Sequence, residues 1–227
     1  MTARLGPGAP GPSATAGPVR TVGRAGVLLE VTDPPAVAAD TRRVAAGCGA
    51  NLLEVVPGAA SVLILAAGTA DLDLLRPHIG ELLAGTGAGT AGGGSEDSDA
   101  GETLVIPVRY DGADLAAVGA ETGLGADGVV AAHCGATYRG CFSGFAPGFC
   151  YLEGLSEALR VPRLAEPRPV VPAGSVAVAD RYSALYPRAT PGGWRLLGRT
   201  DARLWDSRRD PPALVRPGTI VRFSALG

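Results

Sequence analysis

The sequence predicts an α+β protein with a small N-terminal α+β domain followed by a C-terminal antiparallel β-barrel. Three observations favour this fold class. Helix and strand patterns alternate from residue 26 to residue 83, short strands interrupted by Gly and Pro dominate after Tyr138, and two stretches poor in large apolar residues divide the chain. The predicted parts are a disordered tail at 1–20, an α+β domain at 21–84, a flexible Gly-rich linker at 85–101 and the barrel domain at 102–227.

The N-terminal domain is predicted to follow the order βαββα. Asp33 precedes two prolines, which favours a helix N-cap with Pro in the first turn. Asp71 is predicted to cap the second helix, which Pro77 should kink or shorten. The three predicted strands are Gly26–Val31, Leu52–Val56 and Ser61–Ala67, of which the last two form a hairpin.

The C-terminal domain opens with a predicted strand at Thr103–Tyr110, whose Pro107 favours an edge position. Two short helices follow, at Asp114–Thr122 and Gly125–Cys134, and a Gly ends each of them. Later strands end at Gly or Pro every eight to twelve residues, a spacing typical of an antiparallel barrel. Three of these corners are expected to meet at one mouth: Phe145–Leu152, Val171–Val176 and Pro191–Thr200.

Composition excludes several classes of function. The net charge is −2 and the basic residues form no cluster in the sequence, so we expect no nucleic-acid partner. All 20 basic residues are Arg. Because Lys is absent, the chain cannot supply a Walker-type phosphate Lys or a Schiff-base Lys. No run of 18 apolar residues and no signal-like opening segment is present, which predicts a cytoplasmic protein with reduced thiols and no membrane contact.

The His and Cys residues do not predict a metal site. His133, Cys134, Cys141 and Cys150 contain no Cys-x-x-Cys pair and no closely spaced second His, so buried, inert thiols are expected. Ser residues likewise lack the Gly-x-Ser-x-Gly pattern of a nucleophile elbow. We therefore predict neither a bound metal ion nor a self-contained Ser–His–Asp triad.

His133, Arg163 and Arg199 are the candidate catalytic side chains. His133 ends a predicted helix, where the helix dipole would stabilise its cationic form, so it is a candidate proton carrier or anion ligand. Arg163 and Arg199 lie in loops framed by Pro and Gly, and guanidinium groups bind carboxylate or phosphate bidentately. The alternatives, a structural helix cap for His133 and solvated surface positions for the two arginines, remain open.

An ordered series of motifs resembles a known family. The motifs are His133-x₄-Tyr138, Gly144–Phe149, Pro162–Arg163, Val171–Val176, Tyr186–Pro187, Pro191–Trp194 and Gly198–Thr200. Together they make the C-terminal domain similar to the family of 5-oxoprolinase B subunits, whose members are also known as KipI-type kinase inhibitors and as the first subunit of allophanate hydrolase. The resemblance extends more weakly over residues 27–67.

This resemblance implies a cyclophilin-like β-barrel and an enzyme built from several subunits. The implied reaction is ATP-dependent hydrolysis of 5-oxo-L-proline to L-glutamate, with the C and A subunits of 5-oxoprolinase as partners and with ATP, accompanied by Mg²⁺, shared with a partner. Phosphorylating the lactam oxygen would activate a resonance-stabilised amide. Two alternatives follow from the same resemblance: an inhibitor that binds a sensor histidine kinase, and a component of allophanate hydrolase.

The resemblance also assigns roles to individual residues. Arg163 and Arg199 would hold phosphate or the substrate carboxylate, and His133 would act as acid/base or anion ligand. The substrate-binding residues would form the floor and the walls of a pocket: Pro172, Gly174 and Ser175 in the floor, and Phe145, Phe149 and Trp194 in the walls.

The chain departs from the family pattern at three places. Cys150 stands where relatives usually have Pro, and Glu153 replaces a small residue. A Gly-rich turn before Tyr186 is replaced by the bulkier segment 180–185. We predict that this segment is a loop at the mouth of the barrel, where it would alter the choice of substrate.

Overall fold

The computed structural model describes residues 19–84 and 103–226, so most of the predicted tail and the whole predicted linker lie outside the described residues. The described residues divide into two compact units, one formed by 19–55 and 60–84 and the other by 56–59 and 103–226. The exact domain boundaries stay predictions. Each unit has its own core of buried apolar side chains.

The first unit is a four-stranded sheet with helices on one face. Its elements are β1 (Val19–Val22), β2 (Gly26–Glu30), α1 (Pro34–Cys48), β3 (Leu52–Pro57), β4 (Ser61–Ala66), α2 (Thr69–Leu75), a 3₁₀ turn (Arg76–His78) and α3 (Ile79–Leu83). The strand order is β1-β2-β4-β3. The predicted βαββα order is present, preceded by β1, and Pro77 breaks the last helix as expected.

Of the two helix N-caps predicted in the first unit, the one at Asp33 is confirmed and the one at Asp71 is wrong. Asp33 Oδ1 accepts a hydrogen bond from the Ala36 backbone N–H at 3.2 Å, as an N-cap should. Asp71 does not cap α2, because its Oδ1 accepts from the backbone and side-chain nitrogens of Asn51 at 2.8 and 2.9 Å. These bonds tie α2 to the start of β3 and lower the pKa of Asp71.

The second unit is a barrel-like sheet with two short helices. Its elements are β5 (Leu104–Val108), α4 (Leu115–Thr122), α5 (Gly125–Gly135), β6 (Tyr138–Ser143), β7 (Cys150–Glu153), a 3₁₀ turn (Glu157–Leu159), β8 (Arg168–Val171), β9 (Ser175–Ala179), β10 (Tyr182–Leu185), β11 (Thr190–Gly192), β12 (Arg195–Arg199) and β13 (Ile220–Ala225). Seven strands follow the order β12-β9-β10-β7-β6-β13-β5, and β8 pairs with β11.

A bridge between Arg109 and Arg199 joins the two ends of the seven-stranded sheet. Each residue donates its backbone N–H to the other's carbonyl, at 2.8 and 2.9 Å. The sheet therefore closes on itself beside β5 and β12, and the predicted α+β class with a barrel is confirmed. One pair differs from the expected pattern, because β5 runs parallel to β13.

The two faces of the sheet carry different side chains. In β9, Val176 and Val178 face an apolar core that also contains side chains of α4 and α5. The alternate residues Ala177 and Ala179 face a second cluster that is rich in aromatic rings. This aromatic face is where three of the six predicted substrate-binding residues meet, namely Phe145, Phe149 and Trp194.

Segment 180–185 is not a loop, so that prediction is wrong. Only Asp180 and Arg181 form the turn between β9 and β10, with Asp180 at a φ of 52°. The next four residues are strand β10, and all of them are buried. Tyr182 faces the aromatic cluster and Leu185 the opposite core, so a run buried on both sides lacks the polar alternation that marks a strand.

The longest described helix, α1, has 15 residues. Within residues 19–84 and 103–226, no single helix is long and apolar enough to cross a membrane, although α4 and α5 pass that test when counted together across their 92° bend. The same residues contain no group of three or more His, Cys, Asp or Glu side chains that could hold a metal ion.

Candidate functional site

An aromatic cluster covers one face of the barrel sheet. Its rings belong to Phe142, Phe145, Phe149, Tyr151, Tyr182, Tyr186 and Trp194. Phe149 is central, with ring centroids 5.8 Å from Trp194, 5.3 Å from Tyr186 and 5.2 Å from Phe145. These edge-to-face contacts are a geometry that aromatic pairs prefer, so they stabilise the cluster.

The turn between β6 and β7 presents Phe145 at the edge of this cluster. The Ala146 N–H bonds to the Gly144 carbonyl at 2.7 Å across Phe145, whose φ is 67°. Pro147 and Gly148 then occupy the centre of a second turn, closed by Phe149 N–H to Ala146 O at 2.9 Å, and Gly148 takes the φ of 81° that such a turn requires. Phe145 is strained and 59% exposed, which is typical of a ligand-contacting position.

Arg163 lies against the other side of the cluster. Its guanidinium carbon is 5.7 Å from the centroid of the Trp194 ring, within the range of a cation–π contact. Trp194 is 4% exposed, whereas Arg163 lies at the surface. The loop that carries Arg163 is fixed by Leu164 N–H to Gly193 O at 2.7 Å. The site therefore combines a buried ring with an accessible cation.

Tyr186 brings a hydroxyl group to the same region. Burial raises the pKa of this phenol, while the positive charges of Arg163 and Arg168 lower it, so both guanidinium groups act on the hydroxyl. Gly192 must be Gly here, because a Cβ at that position would lie 2.6 Å from the Tyr186 hydroxyl oxygen. Tyr186 is 1% exposed, so the hydrogen bonds and positive charge that this region can offer to a small anion come from the accessible guanidinium of Arg163.

An ion pair between the buried Asp114 and the partly exposed Arg168 lies against the backbone of Trp194. Arg168 Nη2 donates to Asp114 Oδ1 at 2.7 Å, and Asp114 Oδ2 accepts from the Leu196 backbone N–H at 2.7 Å. Arg168 Nη1 also donates to the Trp194 carbonyl at 3.5 Å. Asp114 is 5% exposed, so this carboxylate is fully committed to protein donors.

The predicted floor residues form a second group, beside the first. Gly174 donates its N–H to the Tyr186 carbonyl at 2.7 Å, and the Ser175 carbonyl accepts the Tyr186 N–H at 2.9 Å. Ser175 is buried and pairs across the sheet with Arg199, whereas Pro172 lies at the surface. Arg199 Nη2 is 2.9 Å from Asp111 Oδ2, so its guanidinium already has a carboxylate partner.

His133 is separated from both groups. Its ring is fully buried on the opposite side of the sheet, stacked on Phe223 with centroids 4.4 Å apart. Burial lowers the pKa of His133 to about 3, so the expectation that the helix end stabilises its cationic form is wrong. Desolvation outweighs the helix dipole here, because a buried imidazolium loses its hydration.

Both ring nitrogens of His133 are hydrogen-bonded. Ser183 Oγ donates to the Ala177 carbonyl at 3.2 Å, so it accepts from His133 Nε2 at 3.0 Å. Nδ1 then accepts from the Tyr110 hydroxyl at 2.7 Å. The network fixes a neutral Nε2–H tautomer that links α5 to β10. In this position His133 has the environment of a structural residue, and its catalytic role stays a prediction.

The structure thus brings together four of the nine predicted site residues in direct contact. These are Arg163, Trp194, Phe149 and Phe145. Sequence reasoning considered Arg168 as an anion-binding residue but did not predict its pairing with Asp114, and it gave Tyr151 and Tyr186 no role in the site. The alternating pattern Cys150–Glu153 in β7 was a signal for Tyr151, but no local pattern predicts an ion pair that spans 54 positions.

Known proteins share both the sequence and the fold of this chain. Residues 18–215 match the family model described as carboxyltransferase domain, subdomain C and D. The 5-oxoprolinase B subunit of Escherichia coli O157:H7 is 39% identical over 214 residues, which are 89% of this chain and 93% of that protein.

Solved structures show the same relationship. TTHA0988 is 33% identical with a TM-score of 0.68, and the match covers 92% of this chain but only 41% of the longer TTHA0988 chain. The protein PH0987 from Pyrococcus horikoshii is 28% identical with a TM-score of 0.54, and the match covers 92% of this chain and 97% of that protein. The described fold therefore recurs both as a whole chain and as part of a longer one.

Proposed function

This chain belongs to the family of carboxyltransferase-domain proteins, subdomain C and D, and from that membership we propose that it is the B subunit of a 5-oxoprolinase. The observation that carries the proposal is the identity of 39%, over nearly the full length of both chains, with the Escherichia coli protein named as the B subunit of 5-oxoprolinase. We propose that the reaction is ATP-dependent hydrolysis of 5-oxo-L-proline to L-glutamate.

The aromatic face suits this substrate. 5-Oxo-L-proline is a small, nearly flat ring that carries one carboxylate and one lactam group. Phe145 offers an exposed ring surface, and the accessible guanidinium of Arg163, which lies over the buried Trp194, can hold the carboxylate.

ATP and Mg²⁺ fit the chain only in part. Arg163, and Arg199 if it releases Asp111, are guanidinium groups that can contact phosphate. ATP would supply the phosphoryl group that activates the lactam oxygen. Because the described residues contain no cluster of metal ligands, Mg²⁺ would be held by the nucleotide phosphates and by a partner protein.

The proposal includes the C and A subunits of 5-oxoprolinase as partners. Hydrolysis of a lactam needs a proton carrier for the ring nitrogen, and the neutral, buried His133 would have to leave the core to serve as one. We therefore propose that one of these partners supplies this group and completes the site. The cytoplasm is the compartment we propose for the complex, because ATP and reduced thiols are available there.

The test is an assay of glutamate release from 5-oxo-L-proline with ATP. This chain is assayed alone, and then after co-purification with the A and C subunits encoded in the same genome. We expect release only from the assembled mixture. Assembly without release would overturn the proposed substrate, and absence of any complex would overturn the assignment to a multi-subunit enzyme.

A further inference from the structure

We infer that Asp114 and Arg168 are positioning residues that fix Trp194 and, through Trp194, the guanidinium of Arg163. The inference deepens the proposed function, on which its kinetic part rests. Its structural part concerns only the geometry of the ring and the cation, and can be tested without any substrate.

Asp114 connects three elements that local sequence does not bring together. The residue lies at the start of α4, and its two carboxylate oxygens bind Arg168 of β8 and the backbone N–H of Leu196 in β12, both at 2.7 Å. Leu196 follows Trp194 by two positions. The carboxylate therefore fixes the strand directly after the Trp194 ring.

Arg168 completes the support from the other direction. While Nη2 binds Asp114, Nη1 of the same guanidinium donates to the Trp194 carbonyl at 3.5 Å. The planar fork of an Arg can hold two acceptors in fixed directions, which the single ammonium of a Lys cannot do. Asp114 and Arg168 thus hold the peptide groups of Trp194 and Leu196 together.

The position of the Trp194 ring determines where the guanidinium of Arg163 lies. The indole is almost fully buried, and it touches Phe149 and Tyr151 with centroids 5.8 and 5.6 Å away. Arg163 lies over the same ring. If the backbone of Trp194 shifts, the ring leaves these contacts and the guanidinium loses the surface on which it rests.

Stability alone is a weak reason for such an arrangement. A buried ion pair loses in desolvation about as much as it gains in attraction, and apolar replacements are often equally stable. Fixing one geometry is a better-supported role for a buried charge pair in some proteins. The convergence of both side chains on the backbone of residues 194–196 indicates that this geometry is the one that is fixed.

The experiment uses Trp194 as its own reporter. The chain has two Trp residues, so Trp205→Phe leaves Trp194 as the single Trp, whose emission can be excited selectively over that of Tyr. In that background we expect acrylamide to quench Trp194 weakly, because the ring is 4% exposed. Asp114→Asn should raise the quenching constant severalfold, and Arg168→Lys should give an intermediate value.

A matched control separates positioning from general loss of stability. Val118 lies in α4, the helix that Asp114 precedes, and packs in the apolar core on the other side of the sheet from Trp194. Val118→Ala removes buried methyl groups from that core. This variant should be destabilised without a change in Trp194 quenching. Equal quenching in Asp114→Asn and in the parent, or an equal rise in Val118→Ala, would overturn the inference.

The kinetic arm uses the assembled enzyme. Asp114→Asn should raise the KM for 5-oxo-L-proline about tenfold with a smaller effect on kcat, because the lost orientation affects substrate binding. An unchanged KM would contradict the inference even if quenching rises. If the unmutated assembly shows no hydrolysis, the proposed function fails, and the fluorescence result still decides whether Asp114 and Arg168 position Trp194.

Discussion

Arg163 rests on Trp194 with its guanidinium carbon 5.7 Å from the ring centroid, at the exposed margin of a cluster whose other rings are mostly buried. The contact joins an accessible cation to the aromatic face. It gives the proposed site its chemical character, which is positive charge beside a flat apolar surface.

The strained backbone of the exposed Phe145 predicts that this residue can be replaced at little cost in stability. A φ of 67° is costly for Phe but is tolerated by Asn, and the ring is already 59% exposed. Phe145→Asn should therefore leave the free energy of unfolding within about 1 kcal/mol of the parent. Chemical denaturation measures this change, and Phe149→Ala, at a fully buried ring, should cost about 3–5 kcal/mol in comparison.

The same Phe145→Asn variant should lose activity in the assembled enzyme, because one wall of the proposed pocket is removed. A rate of glutamate release equal to that of the parent would show that Phe145 does not contact the substrate. A loss of stability as large as that of Phe149→Ala would show that its role is structural.

Removing Asp114 should be costly to stability. Asp114→Ala leaves Arg168 without its carboxylate and Leu196 N–H without its acceptor, so we expect a loss of about 3 kcal/mol. The control is Asp73→Ala, which breaks the exposed pair with Arg76 at 2.8 Å and should cost less than about 1 kcal/mol. Equal losses in urea unfolding would be inconsistent with a buried, committed carboxylate.

Ser183→Ala tests the hydrogen bond between Ser183 and His133 Nε2. In Ser183→Ala the Nε2–H group of a fully buried imidazole loses its acceptor, which should destabilise the protein by about 1–3 kcal/mol. Ser207→Ala, at an exposed position, should change stability by less than about 0.5 kcal/mol. A neutral effect of Ser183→Ala would argue against the hydrogen bond.

The low pKa of His133 predicts a defined pH dependence. Its pKa falls from 6.5 to about 3 on folding, so below pH 6.5 the unfolded chain binds a proton that the folded protein does not. Neutral His133 therefore costs no stability above pH 6.5, and the free energy of unfolding declines as the pH falls from 6.5 towards 3. Between pH 6.5 and pH 5 the loss should reach about 2 kcal/mol.

The measurement compares free energies of unfolding at these two pH values for the parent and for His133→Gln. The variant should lose less stability on acidification. Because that variant removes core contacts, the imidazole ¹⁵N shifts of the parent provide a second readout. A cationic His133 at pH 5 in the folded protein would contradict the assignment.

Much of the local structure was predictable from the sequence. The N-cap at Asp33, the helix that ends at Gly123 and the Pro147–Gly148 turn each depend on a few neighbouring residues, and all occur where those residues indicated. The Asp71 cap failed because Asn51, twenty positions away, competes for its carboxylate. Residues 182–185 were interpreted as part of a loop because burial on both faces of strand β10 removes the alternating pattern.

The candidate site was predictable in part. Phe145, Phe149 and Trp194 were expected to meet, and the structure brings them together, whereas their contact with substrate stays a prediction. The cationic form predicted for His133 was wrong, because the sequence of a helix end does not show whether the side chain faces water or a core. The pairing of Asp114 with Arg168 depends on folding across the whole unit, which no local motif encodes.

The most direct test of the central claim is glutamate release by the assembled enzyme carrying Arg163→Ala, measured beside Arg160→Ala. Both residues are exposed arginines, but Arg160 pairs with Glu157 at 3.3 Å, whereas Arg163 lies over the Trp194 ring. We expect Arg163→Ala to lower kcat/KM at least about tenfold without loss of stability, and Arg160→Ala to change neither. Equal rates for the two variants would contradict the assignment of this aromatic face as the substrate site.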